Sequence, residues 1–402
     1  MKRQKNKGTF RYLLMVMLII TIIVSGCAGE ADVQPTDTVV EEEEPTSPPE
    51  EPTAPPEEEA TTPPEEEATA TPTEGKEITK VAFITSTSRL GDKGFNDAVA
   101  AGVEEAAREF GLNYQIVQSY SDTDYVPNLS RAVEQGFGVV MTAGFQMGDA
   151  LKEVAPQYPD AKFGGVDVDF QECIPNVREI LFAEEQASYL LGVLTASMNE
   201  METHPIFEEK DALGIVAGVE QPAVNRFITG YIAGVRSIDE DVPIYVYYTG
   251  TWQNPGLFRE AAIAAFNRGA GSIFEIGGVA GLSIIEAAKE YGFLEMTTDK
   301  DKNDLAPEHV LSSAMKDLTR ATFLTVKDSV EGNWTGCEVR YTLANGGVKI
   351  APFHGLAEYV PPEIEGRIDE ARQQIIDGEI VVPKTLEEGQ ELLDGVEFER
   401  PE

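Results

Sequence analysis

A carboxylate, an aromatic ring and an amide stand within five residues at Asp92-Lys93-Gly94-Phe95-Asn96. Comparable mixtures recur at Gly144-Phe145-Gln146, Asp167, Gly218, Thr249-Gly250-Thr251-Trp252, Gly277-Gly278 and Asp299. Side chains of these kinds hydrogen-bond to, and stack on, a small polar solute, and none of that requires a bond to be made or broken. Asp92 and Asn96 can read the edge of a base, and they suit equally well the cap and first turn of a helix. Phe95 either lines a cleft or staples that helix to a sheet. Trp252 offers a π-face, on which stacking of a base is worth about 1–3 kcal/mol whatever the base; the plainer alternative is a tryptophan partly buried between lobes. Phe145 is a second aromatic candidate, and Gly277 and Gly278 either let backbone approach a ligand or serve a turn. The signatures of catalysis are missing. No Gly-x-Gly-x-x-Gly follows the first apolar run, there is no Gly-x-Ser-x-Gly elbow or Walker loop, and His204, His309 and His354 fall in no metal-ligand spacing. The chain is therefore not expected to be an enzyme, and neither a metal nor a cofactor is expected.

These positions share one feature: each follows a short β-branched run. Val81–Thr85, Tyr114–Val117, Gly138–Thr142, Lys162–Asp167, Ala212–Ala217, Ile244–Tyr248 and Gly271–Ile276 all read as buried strands. Most are followed by a helical pattern, clearest in Phe95–Phe110, where Val99, Val103, Ala106 and Ala107 share a face and Gly111 stops the helix. Strand–helix alternation predicts an α/β fold with mostly parallel sheets, in which ligands bind beyond the carboxyl ends of the strands. Some 300 residues of this kind exceed what one core serves, so two lobes are expected.

The ends carry different information. Lys2, Arg3, Lys5, Lys7 and Arg11 precede an apolar run, Leu13–Val24, that is short for a bilayer span and ends in Val24-Ser25-Gly26-Cys27. This resembles a lipoprotein signal with its lipobox, which implies lipidation of Cys27 and a lipid-anchored chain on the extracytoplasmic face of the cell membrane. A plain signal peptide or an uncleaved anchor would export the chain as well. Residues 28–77 are rich in Glu, Pro, Thr and Ala and read as a disordered acidic tether, whose full reach at about 3.1 Å per residue is on the order of 150 Å. The formal charge is -39, and no Lys/Arg cluster follows the signal segment, so nucleic acid is disfavoured as a partner. Cys173 and Cys337 remain; an oxidising compartment permits them to pair, and sequence alone does not set their separation.

Read together, the post-strand segments resemble the basic membrane protein family of substrate-binding lipoproteins, whose best-understood members bind purine nucleosides for ABC importers. The resemblance runs from about residue 78 to 385. It rests on Gly91-Asp92-Lys93-Gly94-Phe95-Asn96, similar to Asp-Lys-Ser-Phe-Asn; on Ser188-Tyr189-Leu190-Leu191-Gly192; on Asp299-Lys300-Asp301 followed by Leu305-Ala306-Pro307; and on Ser313-Ala314-Met315-Lys316. It implies a two-lobed fold of the type I periplasmic-binding-protein kind, crossed about three times at a hinge, that acts as a monomer, binds a nucleoside-like ligand and docks on an ABC permease. By that resemblance Asp299 and Lys316 hold the ribose hydroxyls, while a surface ion pair between the two is the alternative. The expected ligand-binding set is Asp92, Phe95, Asn96, Phe145, Asp167, Trp252, Gly278, Asp299 and Lys316.

Lobe 1 is expected over about 78–182 plus 309–334 and lobe 2 over 183–308 plus 335–365. A C-terminal helix and strand should occupy 366–385, and an acidic tail 386–402. Three departures bear on the ligand: Ala100 and Phe258 stand where relatives carry an aromatic and a glycine, and Lys302 stands where they carry glutamine. A flavin, a modified base or another sugar-bearing solute therefore competes with a nucleoside, and a sensor that signals to a membrane receptor competes with an importer subunit.

Overall fold

The computed structural model describes residues 77–401; the signal segment, Cys27 and nearly all of the tether lie outside the described residues. The chain first builds β1 (Lys80–Thr85), α1 (Phe95–Phe110), β2 (Asn113–Val117), α2 (Tyr125–Glu134), β3 (Val139–Ala143), α3 (Gly148–Val154), β4 (Lys162–Val166) and β5 (Val177–Phe182). It continues with α4 (Glu184–Glu200), α5 (Pro205–Glu209), β6 (Ala212–Ala217), α6 (Pro222–Arg236), β7 (Ile244–Tyr248), α7 (Pro255–Asn267), β8 (Ala270–Ile276), α8 (Gly278–Tyr291), β9 (Leu294–Asp299) and β10 (Val310–Lys316). Then come α9 (Leu318–Val330), β11 (Cys337–Tyr341), β12 (Val348–Ile350), α10 (Pro362–Asp377) and β13 (Val396–Glu399).

Two sheets result, ordered β11-β5-β4-β3-β1-β2 and β12-β10-β9-β8-β6-β7-β13, and every pairing is parallel except β10 with β12. The α/β reading with two lobes therefore holds. Strands buried on both faces favour apolar residues at nearly every position, which is why β1, β3 and β6 read as largely apolar runs. In each sheet the strand order reverses beside the first strand of its lobe, between β1 and β3 and between β6 and β8. The loops leaving those strands diverge there and open a crevice. The motif Ser188–Gly192 does not line it: a Cβ on Gly192 would sit 2.2 Å from Tyr231 O, and one on Gly234 2.0 Å from Tyr189 O. Glycine in this motif therefore serves the backbone contact of α4 with α6.

The chain crosses between lobes three times, at Ala183, at Asp317, and over Thr342–Gly347. The crossings are knitted by Ala183 N donating to Tyr341 O (2.8 Å), Asp317 N to Gly347 O (2.9 Å) and Leu343 N to Gln186 Oε1 (2.9 Å).

Several expected boundaries change. β10, expected in lobe 1, lies in the second sheet, and β11, expected in lobe 2, edges the first. The helix expected over 366–385 starts earlier, as α10, and no strand follows it before residue 386. The expected tail instead contributes β13 to the second sheet, where it pairs with β7. Cys173 and Cys337 do form a disulfide, with Cα atoms 4.9 Å apart, tying the β4–β5 loop to the start of the returning strand β11.

Candidate functional site

The crevices of the two lobes face one another around a cavity with an empty volume of about 610 Å³, its mouth included. Of the nine expected residues, Asp92, Phe95, Asn96, Asp167, Trp252, Gly278, Asp299 and Lys316 line it. Phe145 does not. Its ring is turned to solvent, 39% exposed, and its neighbour Gln146 lines the cavity instead, because the short helical turn after Gly144 directs one of these two side chains inward and the other out.

Asp92 is buried, and its carboxylate is filled: Oδ1 accepts from Gly94 N (3.0 Å) and Asp97 N (3.2 Å), Oδ2 from Asn96 N (2.7 Å) and Asn96 Nδ2 (3.0 Å). Asp92 thus ties down the free N–H groups at the start of α1 and fixes the amide of Asn96. The donor end of that amide faces the carboxylate, so Asn96 Oδ1 is left over, buried and without a partner among the described residues. Ser86 Oγ, on the same lobe 1 wall, and Gln221 Oε1, across the cavity in lobe 2, are also unpartnered. Unsatisfied buried acceptors carry a desolvation cost that a donor from a bound solute would relieve.

The floor of the cavity is a chain of charge. Lys316 Nζ donates to Asp167 Oδ1 (2.8 Å), Asp167 Oδ2 (2.7 Å) and Glu184 Oε1 (2.9 Å), while Glu184 Oε2 accepts from Arg226 Nε (2.7 Å). Phe95, Phe182 and Phe227 surround the ammonium, their ring centres 5.0, 4.9 and 5.8 Å away. Burial alone would lower the Lys316 pKa; Asp167 and Glu184 outweigh it and raise it, so this lysine stays charged. Its three protons are already spent on carboxylates. The alternative, a surface pair with Asp299, is not formed, and the hydroxyl contact expected of Lys316 would require one of these bonds to be given up. Glu184 and Arg226 were not legible as members of this chain, since Lys316 and Glu184 are 132 residues apart.

Asp299, at the end of β9, makes no side-chain hydrogen bond among the described residues, yet it faces the cavity. Burial raises its pKa to about 7, against the pull of Lys316 and Lys302. Its backbone is left-handed, φ 71°, a conformation that asparagine and aspartate tolerate best among residues with a Cβ. Opposite it, α1 comes close: a Cβ on Gly94 would lie 3.5 Å from Asp299 Oδ2 and from Lys302 Cε. Gln253 Nε2, in lobe 2, donates to Thr87 O (3.1 Å), in lobe 1, so the lobes are closed on each other.

Trp252 packs on the end of β6, where a Cβ on Gly218 would meet its ring at 2.5 Å. The three departures prove less consequential for the cavity than their positions in the sequence suggested. Ala100 and Phe258 are core residues, and Phe258 lies beneath Gly277, whose added Cβ would be 2.0 Å from its ring. Phe227, unmarked in the sequence, supplies a cavity ring from α6. Lys302 is buried under the site and pairs with Glu275 (Nζ–Oε2 3.3 Å), which keeps it charged despite burial. No group of three or more His, Cys, Asp or Glu side chains among the described residues could hold a metal ion.

Two lobes that close over a cavity lined with rings, open acceptors and one unengaged carboxylate define a solute-binding receptor. The model of the Bmp family, described as ABC transporter substrate-binding protein PnrA-like, matches residues 78–386, and the chain belongs to that family, which is one of transporter receptors and not of enzymes. It is 27% identical over 317 residues to basic membrane protein A1 of Borrelia garinii subsp. bavariensis, covering 77% of this chain and 90% of that one. It is 26% identical over 335 residues to the ABC transporter nucleoside-binding protein BmpA of Lactococcus lactis subsp. cremoris, with 77% and 91% covered. A solved ABC transporter solute-binding protein from Aeropyrum pernix K1 shares the fold, with a TM-score of 0.73 at 24% identity over 79% of this chain and 98% of its own.

Proposed function

We propose that the chain is the lipid-anchored, extracytoplasmic receptor of an ABC importer and that its cavity takes a nucleoside-like solute. The observation that carries this reading is the pairing of an unengaged buried carboxylate, Asp299, with the aromatic faces of Trp252, Phe95 and Phe227 in one cavity. A carboxylate accepts from two vicinal hydroxyls at once, as a ribose presents them. The rings cover a flat base, and Asn96 Oδ1 and Gln221 Oε1 take its N–H groups. The name of the Lactococcus relative agrees with such a ligand.

Lys316 acts through the field it sets up and through the position it gives Asp167 and Glu184 at the hinge. Only the closed arrangement touches the solute from both lobes, so binding selects that arrangement and presents a defined shape to the permease. Cys27, once lipidated, holds the receptor at the membrane, and residues 28–77 give it reach. The test is a thermal-shift panel of nucleosides, free bases, flavins and sugars on residues 72–402, the unit that is compact by itself. At a hundred times its dissociation constant a ligand stabilises by about 2.7 kcal/mol. Nucleosides should do so and free bases should do so less; stabilisation by a flavin or a sugar alone overturns the assignment.

A further inference from the structure

Residues 387–401 lie beyond the 78–386 span that matches the family model, yet they are folded onto the lobe 2 wall of the cavity. β13 adds a parallel strand beside β7, in register from Val396 with Ile244 to Glu399 with Tyr247. It is fastened from both ends. Arg236 donates to Leu392 O (Nε, 3.3 Å) and Asp394 O (Nη2, 2.8 Å), and Arg268 pairs with Glu397 and Glu399.

Just past the strand, two residues reach the loops that serve the cavity. Arg400 forks onto Glu220 (Nε–Oε2 2.8 Å, Nη2–Oε1 3.0 Å), and its guanidinium lies 5.2 Å from the ring centres of Tyr248 and Phe398. Glu220 is the neighbour of Gln221, which lines the cavity. Pro401 packs on Gly250, where an added Cβ would be 2.7 Å from its Cγ and where φ is +69°. Gly250 N in turn donates to Gly218 O (3.1 Å), the residue on which the Trp252 ring rests. One side chain therefore grips the loop after β6, and the next presses on the loop after β7.

We propose that residues 396–401 are a brace for the solute site, in which Arg400 and Pro401 are positioning residues that hold Gln221 and Trp252 toward the cavity. The proposal rests on reading the cavity as the solute site, but its test does not depend on which solute binds. The chain has two tryptophans, so in a Trp334→Phe background the emission of Trp252 reports its packing directly in ligand-free protein. Arg400→Met should shift that emission to the red and raise acrylamide quenching about twofold. It should also weaken the nucleoside found in the thermal-shift panel about three- to fivefold, the scale of one well-formed exposed ion pair. Glu220→Gln should reproduce both effects, and Arg400→Lys should recover part of them, since it keeps the charge and loses the fork. If emission, quenching and affinity all stay at wild-type values in Arg400→Met while only the melting temperature falls, the segment is a stabilising strand and the brace is refuted. If no nucleoside binds the unsubstituted protein, the solute assignment fails, and the ligand-free emission still decides the brace.

Discussion

Asp167 and Asp299 are the same residue in the same local setting, one per lobe. Each lies at the carboxyl end of a parallel strand, each is left-handed (φ 58° and 71°), each lines the cavity, and burial raises the pKa of both. They differ in their partners. Both oxygens of Asp167 are held by Lys316, whereas the Asp299 side chain has no hydrogen-bond partner among the described residues. A paired buried carboxylate builds structure; an unpaired one is a cost that a ligand can repay. The left-handed backbone serves both cases, turning a short side chain off the strand end and toward the opposite lobe.

The largest effect should come from breaking the paired side. Lys316→Met strands Asp167 and part of Glu184 as buried charges and should cost about 3–5 kcal/mol in denaturant unfolding. A loss under 1 kcal/mol would mean that Asp167 is as free as Asp299, and the contrast would vanish.

On the unpaired side the sign reverses. The Asp299 pKa is raised from 3.8 to about 7, so the folded state loses stability as pH climbs between those values, while the unfolded chain has already ionised. Asp299→Asn removes that loss. It should stabilise the ligand-free protein by on the order of 2–4 kcal/mol at pH 8 and by nothing near pH 4. The same substitution should weaken nucleoside binding about a hundredfold and free-base binding little, which titration calorimetry would resolve. Wild-type affinity for nucleosides should fall about tenfold per pH unit below about 7, because the carboxylate must be ionised to accept two hydroxyls. A flat profile from pH 5 to 8 would take Asp299 out of the contact. A smaller effect is expected from Trp252→Ala, about 1–3 kcal/mol of affinity shared equally by nucleoside and base, because stacking does not involve the sugar.

Much of the frame was legible because buried parallel strands are largely apolar. β1, β3, β6 and β7 announce themselves that way, and α1 matches the expected Phe95–Phe110 because its apolar stripe and Gly111 mark it. β10 was harder to read, and its lobe was misjudged. Its sequence, Val-Leu-Ser-Ser-Ala-Met-Lys, hides hydroxyls that pair within the sheet, as Ser313 Oγ does with Thr297 Oγ1 (2.6 Å). β13 reads as an acidic tail because Glu397 and Glu399 point outward to Arg268, a partner distant in the chain.

The sequence by itself determined the alternation of strand and helix, and hence the positions after each strand where polar residues gather, because periodicity and turn chemistry are local. Which of those polar groups are spent and which stay open was decided only by the tertiary structure. Lys316 meets Asp167 across 149 residues and Glu184 across 132, and Arg400 meets Glu220 across 180. The energy of a charge depends on what surrounds it in space and not on its neighbours along the chain, so Asp167 and Asp299 look alike in the sequence and differ in the folded protein.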